Sequence, residues 1–396
     1  MLAMKRFRVL DLTDLKGQFA GKILADLGLE VIKVEPPGGD AVRRLAPFKD
    51  RVADPESSLV FLYLNSNKKS ITLNLERDEG RELLSRLARQ SDVILESFPP
   101  GHMNEWGIGY QALARQNPGL VMASITGFGQ DGPYASYQAS DLIGLAMGGL
   151  LNVSGSPSRP PCKPPETQAF YAASAYAATG SLFALYHRKI SGRGHHLDVS
   201  IQEAMAVEDQ ILSSAANEKV ILRREGGQHK QVSPANVFPC RDGHVYLFVS
   251  AGDHWNQFLE LWSDHPAAFD GPEWKPAGYR RERAAAINEA VRPFTLRFSR
   301  AKLVELMQSR GIPCLPVNTP QEFLQDDQIQ ARGFLQPVRH PLWGDYRHPG
   351  VPYFLDGEKM PIQPAPSIGQ HNAEVYGNLL NMGLPDLSLL RASNVI

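Results

Sequence analysis

The sequence predicts an α/β fold, with an open parallel sheet in the N-terminal part and a small α+β domain further along the 396-residue chain. Short apolar runs alternate with amphipathic helical segments over residues 1–125, which is typical of βαβ units. Hydrophobic residues make up 43% of the chain and charged residues 21%, as in ordinary globular proteins. A chain of this length and composition can bury a large core, and its length favours two or three domains.

The first βαβ unit is predicted from a strand at 8–12, a helix at 17–27 and a strand at 30–35. The helix carries an apolar stripe and ends at Gly28, and Pro36 stops the second strand. Two strands joined through a helix pair in parallel, and the crossover is expected to be right-handed.

The same alternation continues along the chain. The further predicted elements are strands at 69–75, 92–96, 120–125 and 195–200, and helices at 78–90, 110–116, 140–151, 169–186 and from Ile201. Residues 231–325 are predicted to form a small α+β domain that opens with a hairpin. The proline-rich segment 339–366 is expected to be extended over another surface, and a helix at 372–382 closes the fold.

Charge and cysteine content exclude several classes of function. The 41 basic and 42 acidic residues leave a net charge of −1, which offers no footprint for nucleic acid or an anionic membrane. Cys162, Cys240 and Cys314 form no CxxC or Cys/His cluster, which favours a reducing compartment and no metal site. No signal peptide and no apolar run of about 18 residues is present. We therefore expect a cytoplasmic protein without metal, nucleic-acid partner or membrane span.

Four loops are candidates for ligand binding. The loop 38–44 carries two arginines that could hold a phosphate, although no GxGxxG or Walker A motif is present. The loop 65–69 offers amides and lysines, and the glycine-rich loop 127–134 follows a strand, where open α/β sheets bind ligands. The glycine pair in 226–229 could form a lid. Each also has a simpler structural interpretation: a solvated loop for 38–44, a turn for 65–69 and an interdomain linker for 226–229. Asp141, just beyond the glycine-rich loop, opens an apolar helix and could simply be its N-cap.

Several short segments, taken in their order along the chain, resemble the class III CoA-transferases, the family that contains formyl-CoA transferase and carnitine CoA-transferase. The resemblance covers nearly the whole chain. It is carried by RVLD at 8–11, ADLGLEVIKVE at 25–35, GD at 39–40, NSNKKS at 65–70, GFG at 127–129, SGRG at 191–194, DVS at 198–200, GIP at 311–313 and APSIGQH at 365–371.

The resemblance implies a Rossmann-like large domain, an α+β small domain and two chains threaded into an interlocked dimer. Residues 1–225 and the returning segment 329–396 would form the large CoA-binding domain, and 226–328 the small one. Coenzyme A or acyl-CoA would be bound as substrate, without a metal. The implied CoA-binding residues are Lys16, Gly17, Gln18, Arg43, Asn67, Lys68, Lys69, Glu96, Ser97 and Phe98, with Gly226, Gly227 and Gln228 as a lid.

The family's transferases use an aspartate as nucleophile. It attacks the donor thioester to form a mixed anhydride, and CoA thiolate then forms an aspartyl-CoA thioester. The matching position in this sequence is Phe170, which cannot act as a nucleophile. Glu166 is the nearest carboxylate, but a displacement of one helical turn would misplace it. The chain also has Ser97 where Asn is frequent and Glu105 where Arg is common, and Ser140 precedes Asp141 where the related racemases carry His.

Several hypotheses follow. In the first, the chain is the nucleophile-lacking subunit of a heteromer with an Asp-bearing paralogue, moving CoA between an acyl-CoA such as succinyl-CoA and a carboxylic acid. In the second, a homodimeric transferase uses Glu166. In the third, a lyase, hydratase or isomerase acting on CoA thioesters uses Asp141 with His229 or Glu166. A non-catalytic acyl-CoA-binding protein is the fourth.

Overall fold

The computed structural model describes residues 7–207, 216–217, 222–250 and 253–396. Contacts within the chain divide it into two compact units. The first unit comprises Met1–Leu150, Pro164–Lys219 and Ala331–Ile396, and the second comprises Leu151–Lys163 and Val220–Gln330. In the described ranges, no helix is long and apolar enough to span a lipid bilayer.

A six-stranded parallel sheet forms the centre of the first unit and confirms the predicted α/β fold class. Its strands are β1 (Arg8–Leu12), β2 (Glu30–Glu35), β3 (Lys69–Thr72), β4 (Val93–Glu96), β5 (Val121–Thr126) and β6 (His196–Ser200). They are ordered β3-β2-β1-β4-β5-β6, which is the order of Rossmann folds. Most residues of β1 to β5 are buried, as expected for strands covered on both faces.

Helices connect these strands, and those that lie in the first unit pack around the sheet. Up to residue 207 they are α1 (Gln18–Asp26), α2 (Leu59–Leu64), α3 (Asp78–Ala88), α4 (His102–Glu105), α5 (Tyr110–Gln116), α6 (Asp141–Met147), α7 (Leu150–Val153), α8 (Gln168–Ser191) and α9 (Ile201–Val207). The helix predicted at 140–151 is divided into α6 and α7, because Gly149 adopts a positive φ of 92° between them. Helix α8 is longer than predicted and ends at Gly192, whose φ of 71° is typical of a helix C-terminus.

The C-terminal part returns to the first unit. It contains the hairpin β10 (Leu335–His340) and β11 (Gly344–Pro349), followed by α16 (Asn372–Leu380) and α17 (Leu384–Ala392). Both strands have extended backbone, as predicted for 339–366, but the prediction did not include their pairing with each other. Within this segment the Trp343 indole donates to the Glu56 carbonyl at 2.7 Å, and Tyr376 of α16 is fully buried in the core of the first unit.

The second unit is built on a small antiparallel sheet. Its elements are β7 (Ala235–Cys240), β8 (Gly243–Phe248), α10 (His254–Leu261), α11 (Ala277–Glu282), α12 (Ala284–Thr295), α13 (Arg300–Gln308), β9 (Cys314–Pro316), α14 (Pro320–Gln325) and α15 (Asp327–Ala331). The strands are ordered β7-β8-β9. The predicted hairpin is confirmed as β7 and β8, and its apolar face packs with Trp255, Phe258 and Phe294 in one core.

Candidate active site

The carboxyl ends of β1, β4 and β5 border the crevice where the strand order reverses. Strand β1 pairs with β2 on one side and with β4 on the other, so the chain continues outward in opposite directions from this point. Open α/β sheets bind ligands outside the carboxyl ends of their strands at such a switch point. The loops 13–17, 97–101 and 127–139 leave these three strands and surround the crevice.

A cavity of about 210 Å³ lies between these loops. Three of the predicted CoA-binding residues, Lys16, Ser97 and Phe98, contribute to its wall. Pro99, Pro100, the Thr126–Gly127 pair at the end of β5 and residues 135–139, which follow the glycine-rich loop, complete the lining. The structure thus brings the loop after β1 together with the loops after β4 and β5.

Asp14 organises the polar end of this cavity. The Ser97 hydroxyl donates to a carboxylate oxygen of Asp14 at 2.8 Å, and the backbone N–H of Asp14 donates back to the Ser97 hydroxyl at 2.9 Å. The Lys16 ammonium forms an ion pair with the same carboxylate. Lys16 is the charged side chain of the cavity wall, and its charge is therefore already balanced by a neighbouring carboxylate.

Glu96 lies beside a second, smaller cavity of about 100 Å³ rather than in the first one. Burial raises the pKa of its carboxyl to about 7, although hydrogen bonds from the Ser124 hydroxyl and the Phe98 backbone act in the opposite direction. The Phe98 N–H donates to Glu96 at 2.8 Å. The Ser124 hydroxyl also contacts the His196 ring at 2.9 Å, and burial lowers the pKa of His196. Glu96 therefore positions the loop that carries Ser97 and Phe98.

Gly17 and Gln18 lie at the start of α1, next to the cavity loop. A Cβ atom at Gly17 would lie only 2.6 Å from the Thr13 methyl carbon, so a larger residue would displace this turn. The Gln18 side chain is fully buried, donates to the Thr13 carbonyl at 3.3 Å and accepts from the Asn65 amide at 3.0 Å. Both residues therefore support the conformation of the loop 13–17.

Arg43 is buried in an ion pair outside this cavity. Its guanidinium donates to both carboxylate oxygens of Glu35, at 2.6 and 2.8 Å, and to Glu56 at 3.0 Å. It also stacks over the Phe61 ring, 3.6 Å from the centroid. The partners of Arg43 described here all belong to the chain itself, and none of these contacts involves a ligand. Binding of CoA by Arg43 therefore remains a prediction from the family resemblance alone.

Asn67, Lys68 and Lys69 also have partners within the chain. The buried Lys68 ammonium contacts the Asp11 carboxylate at 2.7 Å; burial lowers the pKa of Lys68 to about 8, and Asp11 opposes that shift. Asn67, at a positive φ of 64°, donates to Asp26 at 2.7 Å, and Lys69 pairs with Glu30 and Glu374 at the surface. Their assignment to CoA likewise stays a prediction.

Phe170 stands in the first turn of α8 and is 7% exposed. Ser174, one turn later on the same helix face, donates from its hydroxyl to the Lys16 carbonyl at 3.2 Å. This contact brings that face of α8 to the loop that lines the larger cavity. An apolar ring occupies the position at which the family resemblance expects a carboxylate.

Neither of the candidate catalytic carboxylates takes the place of Phe170. Glu166 is exposed and lies ahead of α8, at a positive φ of 60°. Asp141 is buried in the first turn of α6, and its carboxylate accepts a hydrogen bond from the backbone N–H of Ala169 at 2.8 Å. The N-cap of α6 is Ser140, so Asp141 supports the start of α8 instead.

The predicted lid residues belong to the second unit. Gly226 has a positive φ of 64°, as a tight turn requires. The Gln228 amide donates to the Val232 carbonyl at 2.8 Å and accepts from Asn288 at 2.7 Å, while the His229 N–H donates to the Ala235 carbonyl at 2.8 Å. In this structure these contacts tie the segment to its own unit, and the lid function remains a prediction.

Asp14, Thr126 and Tyr137 complete the site but were not singled out from the sequence. Asp14 follows β1, and Tyr137 follows the glycine-rich loop that the sequence marks as a candidate. The sequence feature that could have identified Asp14 and Tyr137 is their position after a strand of a parallel sheet. Among the residues that the structure describes, no group of three or more His, Cys, Asp or Glu side chains is arranged to hold a metal ion.

The model of CoA-transferase family III matches residues 4–372 of the sequence. The chain belongs to this family. A succinyl-CoA–D-citramalate CoA-transferase from Chloroflexus aurantiacus is 34% identical over 395 residues, covering 98% of this chain and 97% of the relative. The family resemblance drawn from the motifs is thereby confirmed.

A second relative is named as one subunit of an enzyme. The succinyl-CoA:(R)-benzylsuccinate CoA-transferase subunit BbsE from Thauera aromatica is 33% identical over 400 residues, covering 96% of this chain and 97% of the relative. Among solved structures, a CAIB/BAIF family protein from Brucella suis matches with a TM-score of 0.83 at 29% identity. That match covers 94% of this chain and 98% of the solved one, and it supports the same fold.

Proposed function

We propose that this chain is the nucleophile-lacking subunit of a heteromeric class III CoA-transferase that moves CoA between an acyl-CoA, such as succinyl-CoA, and a carboxylic acid. The observation that carries the proposal is Phe170. A buried aromatic ring occupies the first turn of α8, whose face meets the Lys16 loop. The aspartate must then come from a related partner chain.

The reaction needs a carboxylate that forms and breaks acyl bonds. The partner's carboxylate would attack the donor thioester, which breaks the carbon–sulfur bond and forms a mixed anhydride and CoA thiolate. The thiolate would attack the anhydride at the enzyme's carbonyl, form an enzyme-bound CoA thioester and release the donor acid. The acceptor acid would repeat these two steps in reverse order. This chain would contribute binding and positioning through Lys16, Ser97 and Phe98.

An exposed apolar stripe on α8 supports a partner chain. Tyr176, Phe183, Tyr186 and Ile190 lie along one side of the helix and are between 43% and 74% exposed. These positions fall within an arc of about 80° because each residue of an α-helix advances by about 100°. Exposed apolar patches of this kind mark interfaces. The resemblance to interlocked dimers and the relative named as a subunit fit the same interpretation.

The experiment is to purify the tagged chain from its own host under native conditions and read the product by denaturing gel and intact mass. The proposal predicts a second chain of similar mass in equal amount, with aspartate at the position matching Phe170. The chain produced alone should be inactive with succinyl-CoA and an acceptor acid. Isolation of an active homodimer would contradict the proposal.

A self-sufficient enzyme using Glu166 is the second candidate. Glu166 is exposed and lies just before α8, two residues ahead of the first residue of that helix. If it were the nucleophile, Glu166→Gln would abolish transfer by the homodimer, whereas Glu289→Gln, an exposed control on α12 outside the candidate loops, would not. Under the heteromer proposal Glu166→Gln leaves the activity of the complex within about twofold, because the substitution is on the surface.

A further inference from the structure

A lysine side chain is buried inside the parallel sheet. Lys33 lies in β2 and is paired in register with Asp11 of β1. Its neighbours Ile32 and Val34 point to the other face of the strand and belong to the apolar core. Burial disfavours the charged ammonium, but the carboxylates of Asp40 and Asp11 outweigh it, so the pKa of Lys33 lies above its ordinary value. Lys33 is therefore a cation within the sheet.

The Lys33 ammonium joins the loops that follow β1 and β2. It donates to the backbone carbonyl of Thr13, where the loop after β1 begins, and it forms an ion pair with Asp40 at 3.0 Å in the loop after β2. The other carboxylate oxygen of Asp40 accepts from the Val42 N–H at 2.8 Å. One buried cation thus connects the backbone of one loop to the backbone of the other.

Thr13 is also held by a second buried group. Its N–H and its hydroxyl donate to one carboxylate oxygen of Asp11, at 3.0 and 2.6 Å. The other oxygen of Asp11 accepts from the Lys68 ammonium at 2.7 Å. Thr13 is fully buried and immediately precedes the loop residues Asp14 and Lys16. Its position therefore determines where that loop leaves the sheet.

The buried ion pair of Lys33 is poorly explained by stability alone. Taking two charges out of water is costly, so apolar side chains of similar volume often stabilise a protein equally well. The pair belongs to a longer chain of contacts, in which the Asp40 N–H donates to Glu35 at 2.9 Å and Glu35 binds Arg43. A defined arrangement of two loops is what these contacts provide and apolar packing would not.

We propose that Lys33 is a positioning residue for CoA binding, because it ties Thr13 to Asp40 and so holds the loop of Lys16 in the arrangement that accepts CoA. The proposal rests on the proposed function, since it takes CoA as the ligand of this loop. Lys33 is fully buried and acts through the loop rather than on the ligand. Where only a fraction of the molecules has the competent arrangement, the apparent affinity falls by that fraction.

The test is equilibrium binding of CoA to the purified protein, with any chain that co-purifies, for Lys33→Met and Arg188→Met. Arg188 is the matched control, because it also joins a carboxylate, Asp92 at 2.7 Å, to a backbone carbonyl, Gly119 at 2.9 Å. Its partners precede β4 and β5, at the opposite edge of the sheet. At a temperature where both variants are folded, the dissociation constant should rise about tenfold in Lys33→Met and stay within about twofold in Arg188→Met.

Hydrogen exchange provides a second readout, which does not depend on CoA. The amides of residues 13–18 should exchange faster in Lys33→Met than in the wild type, whereas Arg188→Met should leave them unchanged. Thr13→Val is a milder variant, which keeps the size of the side chain and removes only the hydroxyl contact with Asp11. It should raise the dissociation constant about threefold, which is the effect of one hydrogen bond.

The outcomes separate the two proposals. Wild-type affinity in Lys33→Met, or equal losses in Lys33→Met and Arg188→Met, would overturn the positioning role and leave the CoA-transferase proposal standing. If Lys33→Met does not fold, wild-type affinity and wild-type exchange in Thr13→Val would have the same consequence. Failure of the wild type to bind CoA would overturn the CoA-transferase proposal and this inference together.

Discussion

The carboxylate of Asp141 accepts a hydrogen bond from the backbone N–H of Ala169 at 2.8 Å, across 28 positions of the chain. Ala169 immediately precedes Phe170, so this contact fixes the helix end on which Phe170 stands. Negative charge is favourable at a helix N-terminus, where backbone N–H groups lack intrahelical partners. A carboxylate is thus present close to the expected nucleophile position, but in this structure it supports the helix.

Replacement of Asp141 should therefore lower stability. Asp141→Ala removes the acceptor for the Ala169 N–H, and we expect the free energy of unfolding to fall by about 1–2 kcal/mol. Asp141→Asn keeps an acceptor oxygen and should recover part of the loss. Chemical denaturation of the variants and of Asp131→Ala, an exposed control, measures this. If Asp141→Ala lowered the free energy of unfolding no more than Asp131→Ala does, Asp141 would not stabilise the start of α8.

Arg43 is expected to be far more important for stability than an average surface arginine. Arg43→Met leaves Glu35 buried without its cation, and we expect a loss of about 3–5 kcal/mol in the free energy of unfolding. The control is Arg339→Met, whose side chain is 87% exposed and lies 3.8 Å from Asp345. That control should change stability by less than about 0.5 kcal/mol. If both variants lowered the free energy of unfolding equally in the same denaturation assay, the buried ion pair would contribute no more to stability than the exposed one.

Local sequence signals account for much of the fold. The bounds of β1 and β2 match the prediction: both are short segments with apolar residues at their centre, and Pro36 directly follows β2. Helix α2 was not predicted, since its six residues are too few for a helical period to emerge. The hairpin of β10 and β11 was missed because its prolines, such as Pro341, are typical of an extended segment.

The site was only partly predictable, because partners in space are not visible in the sequence. The family resemblance pointed to Ser97 and Phe98, which line the cavity, and their role in binding CoA stays a prediction. Lys68 was assigned to CoA by its place in a motif, but its partner Asp11 is 57 residues earlier and meets it only in the folded sheet. The role of Asp14 likewise depends on Ser97, which follows a different strand.

Glu96 should make stability depend on pH in the acidic range. Its pKa of about 7 in the folded protein lies above the ordinary value of 4.5, so the folded state binds more protons between these values. Glu96 alone should therefore lower stability by on the order of 3 kcal/mol as pH rises from about 4.5 to about 7. Histidines whose pKa is lowered by burial, such as His196 and His348, act in the opposite direction below pH 6.5, so the test compares the slope of the unfolding free energy between the wild type and Glu96→Gln. The variant should have the more positive slope, and equal slopes would refute the assignment.

The apolar stripe on α8 should hold the partner chain. Phe183→Glu places a charge where we expect an apolar contact, so the complex should dissociate into single chains in analytical ultracentrifugation. Leu389→Glu is the matched control, because Leu389 lies on α17 and is 70% exposed against 68% for Phe183. It should leave the assembly intact. If neither variant, or both, changed the sedimentation, the stripe would not be the interface.

The most direct test of the account is to locate the covalent CoA adduct. The natively purified complex is mixed with succinyl-CoA without acceptor acid, quenched, and each chain is weighed intact. We predict a mass increase of CoA less water on the partner chain, and no change on the chain with Phe170. An adduct on the present chain, at Glu166 or any other residue, would contradict the claim that its nucleophile is supplied by a partner.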